Sequence, residues 1–295
     1  MTMLRRRGRK TGDRTGRKTG DRPRFPSGES APAASGNRGL SPVLQAKPSR
    51  RRPREGAVVP PELVMKPAAR GEVVLVTGFE PFGGEKSNPS WEVCARLPHE
   101  IGGLRVETCR VPCEFRRAIE VAAAAIERHQ PTLVVCLGQA GGRAHLSVER
   151  VAINVDDARI ADNSGARPID EPIAPSGPPA YFATLPVKAM AAAMRSAGVP
   201  AQVSNTAGTF VCNHLMYGVL HYLAARDSAQ LDAGGALSPK VRAGFIHVPY
   251  SEEQVLDKTA IPAMAIATMA RGIEAAIAAA HRHRRDLRVA EGTES

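Results

Sequence analysis

Short apolar runs alternate with helical stretches along most of the chain. Four runs have the length and β-branched content of buried strands: residues 73–77 (VVLVT), 132–137 (TLVVCL), 201–204 and 243–248 (AGFIHV). Residues 118–128, 187–197 and 260–284 are rich in strong helix formers, and Gly198 is a natural stop for the second of them. This alternation predicts a single α/β domain with helices on both faces of an open twisted sheet.

The segment 204–217 (SNTAGTFVCNHLMY) places Cys212 between a turn of small residues and an apolar-periodic helix. Free amide groups and the helix dipole at such a junction would stabilise a thiolate, lower its pKa and supply donors for an oxyanion. A free cysteine is more often a small buried hydrophobic residue, and only its position after the turn favours a nucleophile.

A thiolate nucleophile needs a proton acceptor, and His247 lies at the end of a predicted strand, just before Pro249. His214 follows Cys212 by two residues, so we expect it to face elsewhere and to pack. Residues 146–154 (LSVERVAIN) are predicted as one strand with Ser147 and Glu149 on one side. Glu149 could orient an imidazole, although alone it would suggest a surface ion pair.

Charge is distributed unevenly along the chain. Residues 1–70 hold 18 of the 40 Lys and Arg but 5 of the 29 Asp and Glu, a net charge of +13, which leaves −2 for the remainder. This segment is also rich in Pro, Gly and Ser and repeats RKTGDR at 9–14 and 17–22. We therefore predict a disordered basic extension over 1–70, a catalytic domain over 71–285 and a C-terminal tail over 286–295.

The extension fits a basic arm for nucleic acid or anionic lipid, a plain solvated extension, or a start codon assigned too early. The near-neutral remainder argues against a nucleic-acid interface there. The extension has neither the apolar core of a secretory signal nor the acid-poor composition of a transit peptide, and no apolar stretch reaches ~18 residues. Cytoplasm without membrane contact is therefore the expected compartment.

The cysteine content is also consistent with a reducing compartment such as the cytoplasm. Cys94, Cys109, Cys113, Cys136 and Cys212 are odd in number and widely spaced, unlike a disulfide framework. No second pair at zinc-ligand spacing accompanies Cys109 and Cys113, so we expect no metal and no cofactor.

Several motifs together resemble the pyroglutamyl-peptidase I family, the C15 cysteine peptidases. They are residues 77–91 (TGFEPFGGEKSNPSW), 138–154 (GQAGGRAHLSVERVAIN), 156–163 (DDARIADN), 181–190 (YFATLPVKAM), 207–213 (AGTFVCN) and 244–250 (GFIHVPY). The resemblance implies a phosphorylase/hydrolase-like mixed sheet, a homodimer or homotetramer, and removal of N-terminal pyroglutamate from peptides. It implies Cys212 as nucleophile, His247 as general base and Glu149 as orienting acid.

The same resemblance implies a lactam pocket. Its apolar residues are Phe79, Phe82, Ile160, Phe210 and Val211, Gln139 contributes main-chain groups, and Asn88 and Arg159 are further candidates. The Pro-rich loop 166–180 fits a cover over the site and a plain connector equally well. A thiol hydrolase or amidase acting on another acylated amine, and a nucleic-acid-binding protein that uses the basic extension, are the competing hypotheses.

Overall fold

The computed structural model describes residues 71–232 and 240–292. The predicted extension 1–70 and residues 293–295 lie outside the described residues. The described segments contain nine strands, five α-helices and a 3-10 turn at Glu252–Val255. In chain order they are β1 (Val73–Phe79), α1 (Pro89–Cys94), β2 (Glu100–Ile101), β3 (Leu104–Val111), α2 (Arg117–His129), β4 (Leu133–Gln139), β5 (Leu146–Glu149), β6 (Val151–Ile153), β7 (Ala180–Phe182), α3 (Val187–Ser196), β8 (Ala201–Ser204), α4 (Val211–Asp232), β9 (Arg242–Val248) and α5 (Ile266–Arg282).

Seven of these strands form one sheet in the order β2-β3-β1-β4-β9-β5-β8. Strands β3, β1, β4 and β9 run parallel to one another. Strand β5 is antiparallel to β9, and β8 is parallel to β5. Strands β6 and β7 form a separate antiparallel pair. The prediction of a mixed sheet is confirmed.

Helices cover both faces of the large sheet. Along β4, Leu133, Val135 and Leu137 pack in the core beneath α1, α3 and α5, whereas Val134 and Cys136 pack beneath α2 and α4. Each fully buried leucine of this kind contributes about 1.5–3 kcal/mol of burial free energy. Because both faces are covered, the central strands are almost continuously apolar, which is why their sequence pattern is recognisable.

Side chains along β9 and β5 also alternate between the two faces of the sheet, and this alternation determines which of them face α4. On β9, Ile246 packs beneath α3 and α5 while Phe245 packs beneath α2 and α4, so His247 lies on the α4 face. On β5, Val148 packs beneath α3 and α5, which leaves Glu149 on the α4 face as well. Since Glu149 pairs with Phe245 across the β5–β9 ladder, Glu149 and His247 are neighbours on one face.

Two element boundaries differ from the sequence-based expectation. The stretch 146–154 is two strands in different sheets, because the chain leaves the large sheet after Glu149 and pairs with β7 from Val151. The last helix begins at Ile266, not at residue 260. Ala260 has a φ of 63°, and Ala263 forms a parallel bridge with Tyr250, so this segment is not helical.

Residues 286–292, predicted as part of a C-terminal tail, are tied to the domain. The carboxylate of Asp286 accepts the backbone N–H groups of Lys188 and Ala189 at the start of α3. The carbonyl of Glu291 accepts a hydrogen bond from the Arg150 guanidinium. These contacts satisfy amides at the start of α3 that have no partner within the helix.

The longest described helix is α4, with 22 residues. Its second half includes the charged residues Arg226 and Asp227. No helix in the described segments is both long enough and apolar enough to cross a membrane.

Candidate active site

A cavity of about 690 Å³ opens at the carboxyl ends of β1, β4 and β9. Ligands of open α/β sheets commonly bind at this edge. The cavity brings together most of the residues proposed from the sequence, namely Phe79, Phe82, Asn88, Gln139, Arg159, Ile160, Phe210, Cys212 and His247.

Cys212 is the second residue of α4 and is partly exposed. Its sulfur lies against Gly138 on β4: a Cβ atom at Gly138 would be 2.9 Å from Cys212 Sγ and 2.6 Å from the Phe245 ring. The absence of a side chain at Gly138 therefore makes room for the sulfur.

Side chains of the first turn of α4 anchor the helix. Asn213 accepts the backbone N–H of Ile153 at 3.0 Å and donates to the carbonyls of Ile153 and Val155 at 2.9 and 3.0 Å. The ring of His214 has Nδ1 2.7 Å from Asp156 Oδ2, and Nε2 accepts the backbone N–H of Arg116 at 2.7 Å. His214 is thus a packing residue next to a second cavity, as expected, and these bonds anchor the first turn of α4.

His247 and Glu149 form a buried pair. His247 Nδ1 lies 2.7 Å from Glu149 Oε1, with 4% of the histidine and none of the glutamate exposed. The Phe245 ring packs against the imidazole at 4.8 Å between centroids. A carboxylate partner fixes the proton on Nδ1, so Nε2 is the nitrogen free to exchange a proton. Cys212 and His247 line the same cavity, without a hydrogen bond between them in the described part of the chain.

Arg143 completes this cluster and was not singled out from the sequence. Its Nη1 donates to Glu149 Oε1 at 2.9 Å, and the guanidinium lines the cavity. The available signal was its position in a glycine-rich loop directly after a predicted central strand, where polar residues are commonly functional.

The pKa of Glu149 reflects opposing effects. Burial alone would raise it, but the hydrogen bond and charge of His247, with smaller contributions from Ser204 and Arg143, hold it below its ordinary value. The Ser204 hydroxyl also donates to the Thr206 carbonyl, and Glu149 Oε2 has no hydrogen-bond partner within the described residues. We therefore attribute the low pKa chiefly to the partners of Oε1.

The pKa of Cys212 moves in the other direction. Burial of the sulfur raises it to about 12, the negative charge of Glu149 adds to the increase, and the positive charge of Arg143 opposes it. The sequence predicts a lowered pKa at the start of α4, whereas burial of the sulfur shifts this pKa in the opposite direction.

Aromatic side chains form the apolar part of the cavity. Phe79 is fully buried, and the rings of Phe82 and Phe210 are 6.3 Å apart. Ile160 is 49% exposed. Val211 differs from the expectation: its side chain is fully buried in the core beneath α2 and α4 instead of lining the cavity, because its helical position points it at the sheet.

The polar candidates differ in how far they are already engaged. The Gln139 side chain accepts a hydrogen bond from the Gln254 amide at 3.0 Å. The Asn88 oxygen caps α1 through Ser90, and its amide donates to the Glu80 carbonyl, so Asn88 mainly shapes the loop. Arg159 is exposed at the cavity.

The loop 166–180 does not contribute to this cavity. Several of its residues line the second cavity beside Asp156 and His214, and Pro178 accepts a hydrogen bond from Tyr217. This placement favours the connector hypothesis over a cover on Cys212.

A family model for pyroglutamyl peptidases, family C15, matches residues 72–283. The chain is 52% identical over 220 residues to the pyrrolidone-carboxylate peptidase of Erwinia tasmaniensis, covering 74% of this chain and 97% of that protein. It is 54% identical over 222 residues to the pyrrolidone-carboxylate peptidase of Streptomyces coelicolor, covering 74% of this chain and 97% of that protein.

Solved structures of the same family are also similar to this chain. The crystal structure of pyroglutamyl peptidase I from Bacillus amyloliquefaciens superposes with a TM-score of 0.66 at 40% identity, covering 74% of this chain and 99% of that one. Pyrrolidone carboxyl peptidase from Thermococcus litoralis gives a TM-score of 0.66 at 36% identity, covering 74% and 99%. On its sequence and its fold, the chain belongs to the pyroglutamyl peptidase family of cysteine peptidases.

Proposed function

We propose that the chain removes an N-terminal pyroglutamyl residue from peptides, with Cys212 as nucleophile, His247 as general base and acid, and Glu149 as the carboxylate that orients His247. The observation that supports this most directly is the buried 2.7 Å hydrogen bond between His247 and Glu149 beside a cavity that also contains Cys212. The family assignment supports the substrate class.

The raised pKa of Cys212 favours a neutral thiol in the resting enzyme. His247 Nε2 therefore takes the thiol proton as the sulfur attacks the pyroglutamyl carbonyl carbon. The imidazolium then protonates the leaving amine, and a thioester remains on Cys212. Water attacks the thioester with His247 as base, the proton returns to the sulfur, and free pyroglutamate leaves.

Backbone amides at the start of α4 suit the oxyanion formed in both steps. The first hydrogen bond of the helix runs from His214 N to Phe210 O. The amides before it, including that of Cys212, have no partner within the helix. Donors of this kind stabilise an oxyanion without reorganising.

The cavity suits a flat neutral lactam better than a free N-terminus. The aromatic rings of Phe79, Phe82 and Phe210 offer a slot for a five-membered ring, and main-chain groups at Gln139 can pair with an amide. Burying the α-ammonium of an ordinary peptide there without a partner would cost several kcal/mol. That cost discriminates against uncyclised N-termini.

A pair of fluorogenic substrates tests the proposal. We expect release of aminomethylcoumarin from its pyroglutamyl amide and none from its prolyl amide, and we expect Cys212→Ser to abolish release while its circular dichroism spectrum stays unchanged. Release from the prolyl amide alone, or from neither, would favour a thiol hydrolase with a different substrate.

A further inference from the structure

The loop between β4 and β5 positions the Arg143 guanidinium over the buried carboxylate of Glu149. Gly142 has a φ of 85°, and a Cβ atom at Gly141 would lie 2.3 Å from the Tyr250 ring, so this turn requires two glycines. The Arg143 side chain is 30% exposed, whereas that of Glu149 is wholly buried. The loop thus places a cation between solvent and a buried anion.

The close hydrogen bonds that His247 and Arg143 make to Glu149 go to the same oxygen. His247 Nδ1 lies 2.7 Å from Oε1, and Arg143 Nη1 lies 2.9 Å from it. Without Arg143, the buried carboxylate would retain the close hydrogen bond from His247 and the weaker contribution of Ser204. A buried carboxylate with so few partners is expensive to keep ionised.

Arg143 also acts on the nucleophile. The charge of Glu149 raises the pKa of Cys212, and the charge of Arg143 lowers it. A carboxylate that orients His247 therefore disfavours the thiolate, and a cation on that carboxylate offsets this effect. With Arg143 present, Glu149 can orient His247 while raising the pKa of Cys212 less than Glu149 alone would.

Other charged or titratable groups lie nearby and must be considered. Cys212 extends from α4, and Asp157 and Arg159 line the same cavity. His145 precedes β5, and its pKa is lowered by burial and further by the charge of Arg143. Of these neighbours, only Arg143 donates to the carboxylate that holds His247 in the described structure.

We propose that Arg143 is a positioning residue of this active site, which fixes Glu149 beneath His247 and whose positive charge favours the anionic form of Cys212. This inference rests on the proposed function, since it assigns Arg143 a role in the same reaction. A simple loop tether would require the hydrogen bond but not the charge.

Three variants separate charge from geometry: Arg143→Gln, Arg143→Lys and, as a matched control, Arg150→Gln. Arg150 follows Glu149 directly, but its guanidinium donates to the Glu291 carbonyl away from the cavity. For Arg143→Gln we expect kcat/KM on pyroglutamyl aminomethylcoumarin to fall about 10- to 100-fold, typical of losing a hydrogen bond to a charged group.

The pH profile is the deciding measurement. Loss of a nearby positive charge favours protonated forms of the site, so both limbs of the kcat/KM profile should move to higher pH by about one unit in Arg143→Gln. Arg143→Lys should keep the wild-type limbs with a reduced kcat, and Arg150→Gln should match wild type. An upward shift in Arg143→Lys, or no shift in Arg143→Gln, would overturn the proposal.

Alkylation provides a readout that does not require turnover. The rate at which iodoacetamide modifies Cys212, followed by peptide mass spectrometry, should reach half its maximum at higher pH in Arg143→Gln than in wild type. If wild type fails to cleave the substrate, the proposed function fails. If wild type cleaves it but either pH dependence stays unchanged in Arg143→Gln, only the role of Arg143 fails.

Discussion

Two buried histidine–carboxylate pairs lie near the start of α4, and they have the same hydrogen-bond length. His247 and Glu149 are 2.7 Å apart, as are His214 and Asp156. The pairs differ at the other ring nitrogen. His214 Nε2 accepts the Arg116 amide, whereas His247 Nε2 has no hydrogen-bond partner in the described segments and belongs to a residue lining the Cys212 cavity.

A buried histidine–carboxylate pair is therefore not by itself a sign of catalysis. In the His214 pair both ring nitrogens are used, so the pair fixes backbone, including Arg116 with its φ of 63°. In the His247 pair one nitrogen stays free to exchange a proton. In the proposed mechanism, the free nitrogen, and not the carboxylate, distinguishes His247 from His214.

Substitution of His247 should have the largest effect on activity. His247→Gln should lower kcat on the pyroglutamyl substrate about 10²- to 10⁴-fold, because it removes the proton acceptor for Cys212. Steady-state kinetics beside the matched His214→Gln variant checks this. Equal losses of kcat in the two variants would contradict a distinct role for His247.

Glu149→Gln should reduce kcat by an amount no larger than His247→Gln does. The amide can no longer stabilise the imidazolium or fix the proton on Nδ1, an effect worth up to about 10⁴-fold in comparable sites. Kinetics on the same substrate measures it, and a wild-type kcat would remove Glu149 from the proposed mechanism.

His214→Gln should mainly affect stability. Glutamine cannot serve Asp156 and the Arg116 amide with the same geometry, so we expect a loss of about 1–3 kcal/mol in the free energy of unfolding. Activity should stay within about tenfold of wild type. Urea denaturation and kinetics on one preparation test both parts, and a stable but inactive variant would assign His214 a direct role.

The smallest predicted effect is a change with pH in the stability that ionised Glu149 contributes. Its folded-state pKa lies below the ordinary value of 4.5, so its ionised form contributes stability that is present above that pH and is lost as the pH falls through the lowered pKa. The stability difference between wild type and Glu149→Gln should therefore shrink below about pH 4.5. Urea midpoints from pH 7 to pH 4 measure it, and a constant difference would contradict a lowered pKa.

The sequence predicts the central sheet well because its strands are buried on both faces. Strand β3 is absent from the predicted set, since exposed Arg105 and partly exposed Glu107 interrupt its apolar pattern. The split after Glu149 was also missed, because nothing in residues 146–154 marks the point where the chain changes sheets.

Within the site, the sequence indicates residue types but not their partners. Cys212, His247 and Glu149 follow from local position and family resemblance, whereas their pairing depends on register between β5 and β9. Asp156 and His214 are 58 residues apart, and neither predicts the other. The upward effect of burial on the pKa of Cys212 was not predicted, because local sequence does not reveal how far a sulfur is removed from solvent.

Gly138 limits how this enzyme can be altered. With 2.9 Å between a hypothetical methyl carbon and Cys212 Sγ, Gly138→Ala would displace the sulfur or move the Phe245 ring from beside His247. Substitutions elsewhere in the cavity can vary its aromatic residues, whereas any side chain at this place on β4 would require Cys212 or Phe245 to move.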